Sequence, residues 1–266
     1  MELTSGPSPE TDAARGGGLD RLDARDRKAV ARFKPGASLL YRFIAQSVLV
    51  TSRLVMQGLN RVEIEGQERF DALQDRGGRG LLTLSNHVAL YDDPLLLACF
   101  ARLPYHRQRW VAADATNFFG NAFKGVFFSG GRVVPVVRGG GFDQLGFRFL
   151  GERLLAGDWV HVFPEGGRTR DPEARLRRPF KNGIGRLIAD TRPLVLPFYH
   201  HGMHGILPIG AALPRVRKRV LLRFGEATDC STAWMTAHAQ SSGVALWDAV
   251  TSEFEAQLAA LEHAMR

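Results

Sequence analysis

Cysteine is scarce: Cys99 and Cys230 are the only two in 266 residues. That excludes a disulfide framework and fits a reducing compartment. No Gly-x-Ser-x-Gly turn occurs, and neither cysteine has a histidine close to it in sequence, so the chain announces no nucleophile of its own. An uninterrupted apolar run of about 20 residues, the length a bilayer span needs, is missing as well. The most apolar N-terminal stretch is broken by Arg42 and Arg53, which leave ten uncharged residues between them. Zinc-finger spacing, arginine–aromatic repeats, a recognition-helix pattern and internal repeats are all absent. The formal net charge of +8 therefore carries no nucleic-acid signature. It is either a solvated basic surface or a surface for an anionic partner, and among anionic partners lipid head groups or a phosphorylated substrate fit best.

What is present reads as one α/β domain behind a polar tail. Residues 1–27 are rich in Gly, Ser, Pro, Asp and Arg and are expected to be disordered. They have no apolar centre for a secretory signal, and their six acidic residues argue against a mitochondrial transit peptide. Over 28–60, Leu39, Leu40, Phe43, Ile44, Val48, Leu54, Val55 and Leu59 recur at helical spacing, flanked by Lys28, Arg32, Lys34 and Arg61. This is either an interfacial helix on anionic lipid or a helix packed on the domain. Strands are expected over 61–65, 80–84, 109–113, 133–137, 159–163, 194–199 and 219–224. Pro197 inside the sixth implies an edge or a bulge. Helices are expected over 95–100, 116–128, 142–155, 182–190 and 244–265. The phenylalanines of 116–128 suit a core helix better than an acyl-chain tunnel. The alternation implies a mostly parallel or mixed sheet of about seven strands flanked by helices, with its loops gathered on one rim.

Chemistry concentrates in two tracts. Ser85-Asn86-His87-Val88-Ala89-Leu90-Tyr91-Asp92-Asp93-Pro94 follows an apolar strand, and Asp93-Pro94 reads as a helix start, a cap followed by proline at the first helical position. On one regular helix, His87 and Asp92 would point apart. In a strand-to-helix turn, Asp92 can fold back onto the imidazole. That is a base with its orienter, suited to taking a proton from a hydroxyl. With no serine or cysteine nucleophile, a substrate alcohol attacking an acyl carbonyl is the matching reaction. The plainer alternative is a polar loop histidine beside a capping aspartate. The second tract, Pro164-Glu165-Gly166-Gly167-Arg168-Thr169-Arg170, places flexible backbone beside two arginines. It reads either as a phosphate clamp or as a surface turn. His200, His201 and His204 lack an accompanying cysteine or acidic ligand at zinc-site spacing.

Four ordered tracts resemble the glycerolipid acyltransferase superfamily: His87-x4-Asp92, Gly131 to Arg138, Phe163 to Arg168, and Val195-Leu196-Pro197. Within it the chain is most similar to the tafazzin branch, through Ser85-Asn86-His87, Asp92-Asp93-Pro94, Gly157 to Gly166, Gly183 to Ala189, and His200-x-Gly202-Met203. The resemblance spans about residues 61–224, so the division becomes a tail (1–27), a membrane-contacting segment (28–60) and an acyltransferase domain (61–266). It implies His87 as general base and Asp92 as its partner. Asn86, Arg138, Glu165, Gly166 and Arg168 would contact the acceptor's phosphate or glycerol, and Pro197 would shape the pocket. No metal or cofactor is implied. The partners would be a lysophospholipid acceptor, a phospholipid, acyl-CoA or acyl-carrier-protein donor, and an anionic membrane surface. The expected location is peripheral or monotopic: the cytoplasmic face of the inner membrane in a bacterium, mitochondrial in a eukaryote. Gly167 departs from the Thr or Ser of acyl-CoA-using members, which leaves the acyl donor open.

Overall fold

In the computed structural model, residues 24–211, 213–238 and 242–266 are described. The elements run α1 (Ala24–Ala31), α2 (Leu39–Arg53, continued by a π turn at Leu54–Gly58), β1 (Arg61–Glu65), α3 (Gln67–Ala72), β2 (Leu81–Ser85) and α4 (Asp92–Phe100). After a 3-10 turn come β3 (Trp110–Asp114), α5 (Ala115–Phe118), α6 (Ala122–Gly130), β4 (Val133–Val136), α7 (Leu145–Leu155) and β5 (Trp159–Val162). The chain closes with α8 (Gly183–Thr191), β6 (Leu194–His201), α9 (Met203–Ile206), β7 (Arg219–Phe224), β8 (Thr228–Asp229), α10 (Thr232–Ala237) and α11 (Gly243–Ala264). Helix α1 shortens the expected tail: residues 24–27 are helical, and Ala29 and Val30 farther along α1 are buried. The rest of that tail, 1–23, lies outside the described residues.

The strands form one mixed sheet in the order β1-β7-β6-β2-β5-β3-β4, with β8 beside the start of β6. Strands β2 to β6 run parallel, and β7 is antiparallel to β6 with β1 parallel to it. Side-chain alternation splits the core into two clusters. Leu82, Leu84, Val160, Val162 and Val195 join the one that holds Ile184, Ile188, Phe254 and Leu258 of α8 and α11. Leu81, Trp159, Leu196 and Phe198 join the one that holds Leu96, Leu97 and Phe100 of α4.

Pro197 is not at an edge. It sits where the partner on one side changes from β7 to β8, and its carbonyl accepts Gly225 N–H at 2.8 Å. In a strand the N–H and C=O of a residue point the same way, so the donor that proline lacks faces this break. The proline is accommodated inside the sheet by this change of partner strand. The aromatic stretch 116–128 is two short helices, divided at Gly120 and capped by Asn121, whose Oδ1 accepts Lys124 N–H at 2.9 Å. Residues Leu39–Gly58 are continuously helical and, by length and composition, long and apolar enough to cross a membrane. The two arginines that broke the run in sequence do not break the helix. Arg53 turns inward, donating to the carbonyls of Ala98 and Ala101 at the end of α4.

Candidate active site

The strand β2 ends in a turn before α4, and this turn closes on itself through Asp92. The buried Oδ2 of Asp92 accepts N–H of Val88 (2.6 Å) and Ala89 (2.8 Å) and lies 3.1 Å from His87 Nδ1. Burial opposes ionisation of this carboxyl. The nearby His200, His87 and the Val88 N–H outweigh it and hold its pKa below the ordinary value. Nδ1 of His87 faces the carboxylate, so it carries the proton. Nε2 has no protein partner among the described residues, and the side chain is 18% exposed. Beneath the ring, Phe163 stacks at 4.1 Å between centroids. Asp93 does not cap α4 as the sequence suggested. It pairs with Arg109, whose Nε lies 2.9 Å from Oδ1, a partner sixteen residues away.

Two buried side chains fix the turn from behind. Asn86 was expected among the acceptor contacts, but both ends of its amide are engaged: Oδ1 accepts His200 N–H (3.0 Å) and Nδ2 donates to His200 O (2.9 Å). Glu165 is also turned inward. Its Oε1 accepts His87 N–H and its Oε2 accepts Arg177 N–H at 2.7 Å, so both oxygens hold backbone. Burial pushes its pKa up to about 7 against the pull of those two donors. The loop is tied a second time where Thr169 N–H donates to His87 O at 2.8 Å. Asn86 and Glu165 thus spend their polar side-chain atoms on backbone groups of and around the turn.

The rest of the loop is mixed, with Gly167 and Thr169 buried and Gly166 and Arg170 exposed. Gly166 is exposed with φ +68°, a conformation that favours glycine. Arg168 is half-buried, with no side-chain partner among the described residues, and exposed Arg138 has Nε 3.2 Å from Asp114 Oδ2. A Cβ on Gly167 would lie 3.6 Å from a guanidinium nitrogen of Arg177 and 3.8 Å from one of Arg138. Two guanidinium groups therefore converge on a residue without a side chain, next to the His87 loop. Arg177 belongs to the basic run 175–181 and is exposed; no local signal distinguishes it as the cation whose guanidinium reaches Gly167. Pro197 stands apart from this group, buried in the sheet with its ring against the position of a Gly225 Cβ. The three histidines also separate: His200 turns toward Asn86 and Asp92, while His201 and His204 line an open polar recess with Arg175 and Arg266. Both cysteines are buried, and burial raises their thiol pKa values to about 12.

An imidazole with one free nitrogen, oriented by a buried carboxylate at the end of a strand of an α/β sheet, is chemically able to take a proton from a hydroxyl. The acyltransferase family model matches residues 61–201, and the chain belongs to that family. It is 34% identical over 199 residues to tafazzin from Drosophila melanogaster, covering 71% of this chain and 51% of that protein. It is 33% identical over 162 residues to taffazin from Dictyostelium discoideum, covering 57% and 56%. The chain spans about half the length of these curated relatives. The crystal structure of the 1-acyl-sn-glycerophosphate (LPA) acyltransferase PlsC from Thermotoga maritima shares the fold, with a TM-score of 0.55 and 20% identity over 84% of this chain and 81% of that one.

Proposed function

We propose that the chain transfers a fatty acyl group from a phospholipid onto the free hydroxyl of a lysophospholipid, without a covalent intermediate on the protein. One observation carries this: the His87–Asp92 pair has its outward nitrogen free, in a turn hydrogen-bonded to the 165–169 loop on whose Gly167 the Arg138 and Arg177 guanidinium groups converge. The acceptor hydroxyl gives its proton to His87 Nε2 while its oxygen attacks the donor's acyl carbonyl. Asp92 holds the tautomer and stabilises the imidazolium. The tetrahedral intermediate collapses, the ester bond to the donor breaks, and the departing glycerol oxygen takes the proton back. Atoms and charge balance with no water consumed. The similarity to two tafazzins supports a phospholipid donor. The fold shared with an LPA acyltransferase keeps a thioester donor, acyl-CoA or acyl carrier protein, as the second reading, in which the thiol leaves instead.

The same reading has the protein lying on an anionic membrane. Leu39 and Phe43 of α2 are 81% and 70% exposed, Leu40 and Val50 of α2 and Leu54 of its π turn are exposed with them, and Phe123 of α6 is 77% exposed. Helix α2 is also held to the domain: Arg53 and Gln57 donate to α4 carbonyls, and Tyr41 and Ile44 pack on Gly130. A helix fastened along its length in this way supports lying in the interface rather than crossing it. Its direction matters. The helix leads into β1, which starts level with Arg219 at the start of β7, and β7 is antiparallel to β6. The end of α2 therefore shares the rim of the sheet with His87.

The test offers purified protein a labelled lysophospholipid with phosphatidylcholine or with acyl-CoA, and resolves the products by mass. Transfer from phosphatidylcholine without a thioester is expected. Transfer from acyl-CoA alone would select the second reading, and free fatty acid without acceptor dependence would reject both. Failure to sediment with anionic vesicles would reject the membrane contact.

A further inference from the structure

His200 lies in β6 with its side chain fully buried, so it cannot reach a substrate. It is nevertheless joined closely to the turn that carries the base. The Asn86 amide brackets its peptide, and its Nε2 lies 2.9 Å from Asn86 O. A carbonyl only accepts, so Nε2 carries the proton. That same N–H edge is 3.7 Å from Asp92 Oδ2, the oxygen that already takes the Val88 and Ala89 N–H groups and faces His87. Nδ1 is left with a lone pair in a buried place where nothing among the described residues donates to it.

We propose that His200 is a positioning residue for the His87–Asp92 pair: a neutral imidazole whose Nε2–H lies between the Asn86 carbonyl and the Asp92 carboxylate, setting the turn and supporting the carboxylate's charge without cancelling it. The proposal rests on the reading of His87 as base. A cation in this place would compete with the imidazolium that forms on His87. A hydrocarbon would leave that side of Asp92 with no dipole at all. The groups facing the ring are Asp92 and His87 from the turn, with Tyr199 and His201 beside it on its own strand. Burial depresses the imidazole's pKa more than Asp92 and the Asn86 carbonyl raise it, which keeps it uncharged.

A second chain of bonds meets the same carbonyl. Trp159 Nε1–H donates to Thr83 Oγ1 (2.9 Å), which lies 2.9 Å from His161 Nδ1. His161 Nε2 lies 3.4 Å from Ser85 Oγ, and Ser85 Oγ donates to Asn86 O at 3.1 Å. All of these donors run in one direction if His161 is neutral and protonated on Nε2. Asn86 O thus accepts a hydrogen bond from each side, and His200 Nε2, which supplies one of them, also lies 3.7 Å from Asp92 Oδ2.

Glutamine carries a donor at the reach of Nε2, whereas asparagine ends at the reach of Nδ1, so the pair separates donation from bulk. His200→Asn and His200→Phe are expected to lower kcat on the order of 10- to 100-fold with KM within about twofold, through loss of both the bond to Asn86 O and the dipole facing the Asp92 carboxylate. His200→Gln should retain kcat within about fivefold. Equal kcat in the Gln and Asn variants, or a loss expressed in KM, would overturn the proposal. Imidazole ¹⁵N spectra of the wild-type protein decide it without an assay. His200 should show the Nε2–H tautomer and no titration from about pH 5 to 8; an Nδ1–H tautomer or a titrating ring would overturn it. If the wild-type protein transfers no acyl group, the proposed function fails, and the spectra still settle the state of His200.

Discussion

Phe163 lies nearly parallel to the imidazole of His87, with planes 18° apart and centroids 4.1 Å apart. His161 meets the Phe163 ring edge-on at 4.6 Å, so the platform is itself held. An aromatic face restricts the rotation of His87 and stabilises the imidazolium once it forms. Phe163→Ala is therefore expected to lower kcat about tenfold while far-ultraviolet circular dichroism stays native. Unchanged kcat would show that Asp92 alone orients the ring.

Glu165 links stability to pH. Its folded pKa of about 7 exceeds the ordinary 4.5, so the folded state holds a proton that the unfolded state releases. The contribution of this group is fully present below about pH 4.5 and declines as pH rises through about 7, by on the order of 3 kcal/mol. Glu165→Gln should flatten this part of the curve in urea denaturation followed from pH 4.5 to 8. An identical slope in both proteins would contradict the assignment.

Arg177 is expected to bind the acceptor's phosphate together with Arg138. Arg177→Ala should raise KM for lysophosphatidic acid about tenfold with little change in kcat, and should affect a zwitterionic choline lysolipid less. Arg177→Lys should recover part of the loss, since a single ammonium replaces a fork of donors. Equal effects on both acceptors would place Arg177 outside the head-group site.

The tract from Gly183 to Ala189 has a structural meaning. A Cβ on Gly185 would stand 1.9 Å from Trp247 O, so α8 and α11 touch backbone to backbone. Gly185→Ala should destabilise the protein by about 3 kcal/mol or more, read from the urea midpoint. A midpoint equal to wild type would mean the helices separate without cost.

The elements legible in sequence were those whose cause is local. An apolar run bounded by glycine and asparagine marks β2, an apolar run opened by Asp158 marks β5, and the four residues between His87 and Asp92, after a strand and before a helix start, imply a turn rather than a helix. Roles decided by distant partners were not legible. Asp93 looked like a cap and instead meets Arg109. Glu165 and Asn86 looked like substrate contacts because they are polar and flank the base, yet their bonds go to the backbone of residues 87, 177 and 200. Arg177 carries no mark distinguishing it from its basic neighbours; only its approach to Gly167 shows where it points.

The most direct measurement is acyl transfer by His87→Ala on a labelled lysophospholipid, with folding checked by thermal denaturation. Removal of a general base predicts a loss of about 10²- to 10⁴-fold with the fold retained. Turnover near that of the wild-type protein would contradict the mechanism.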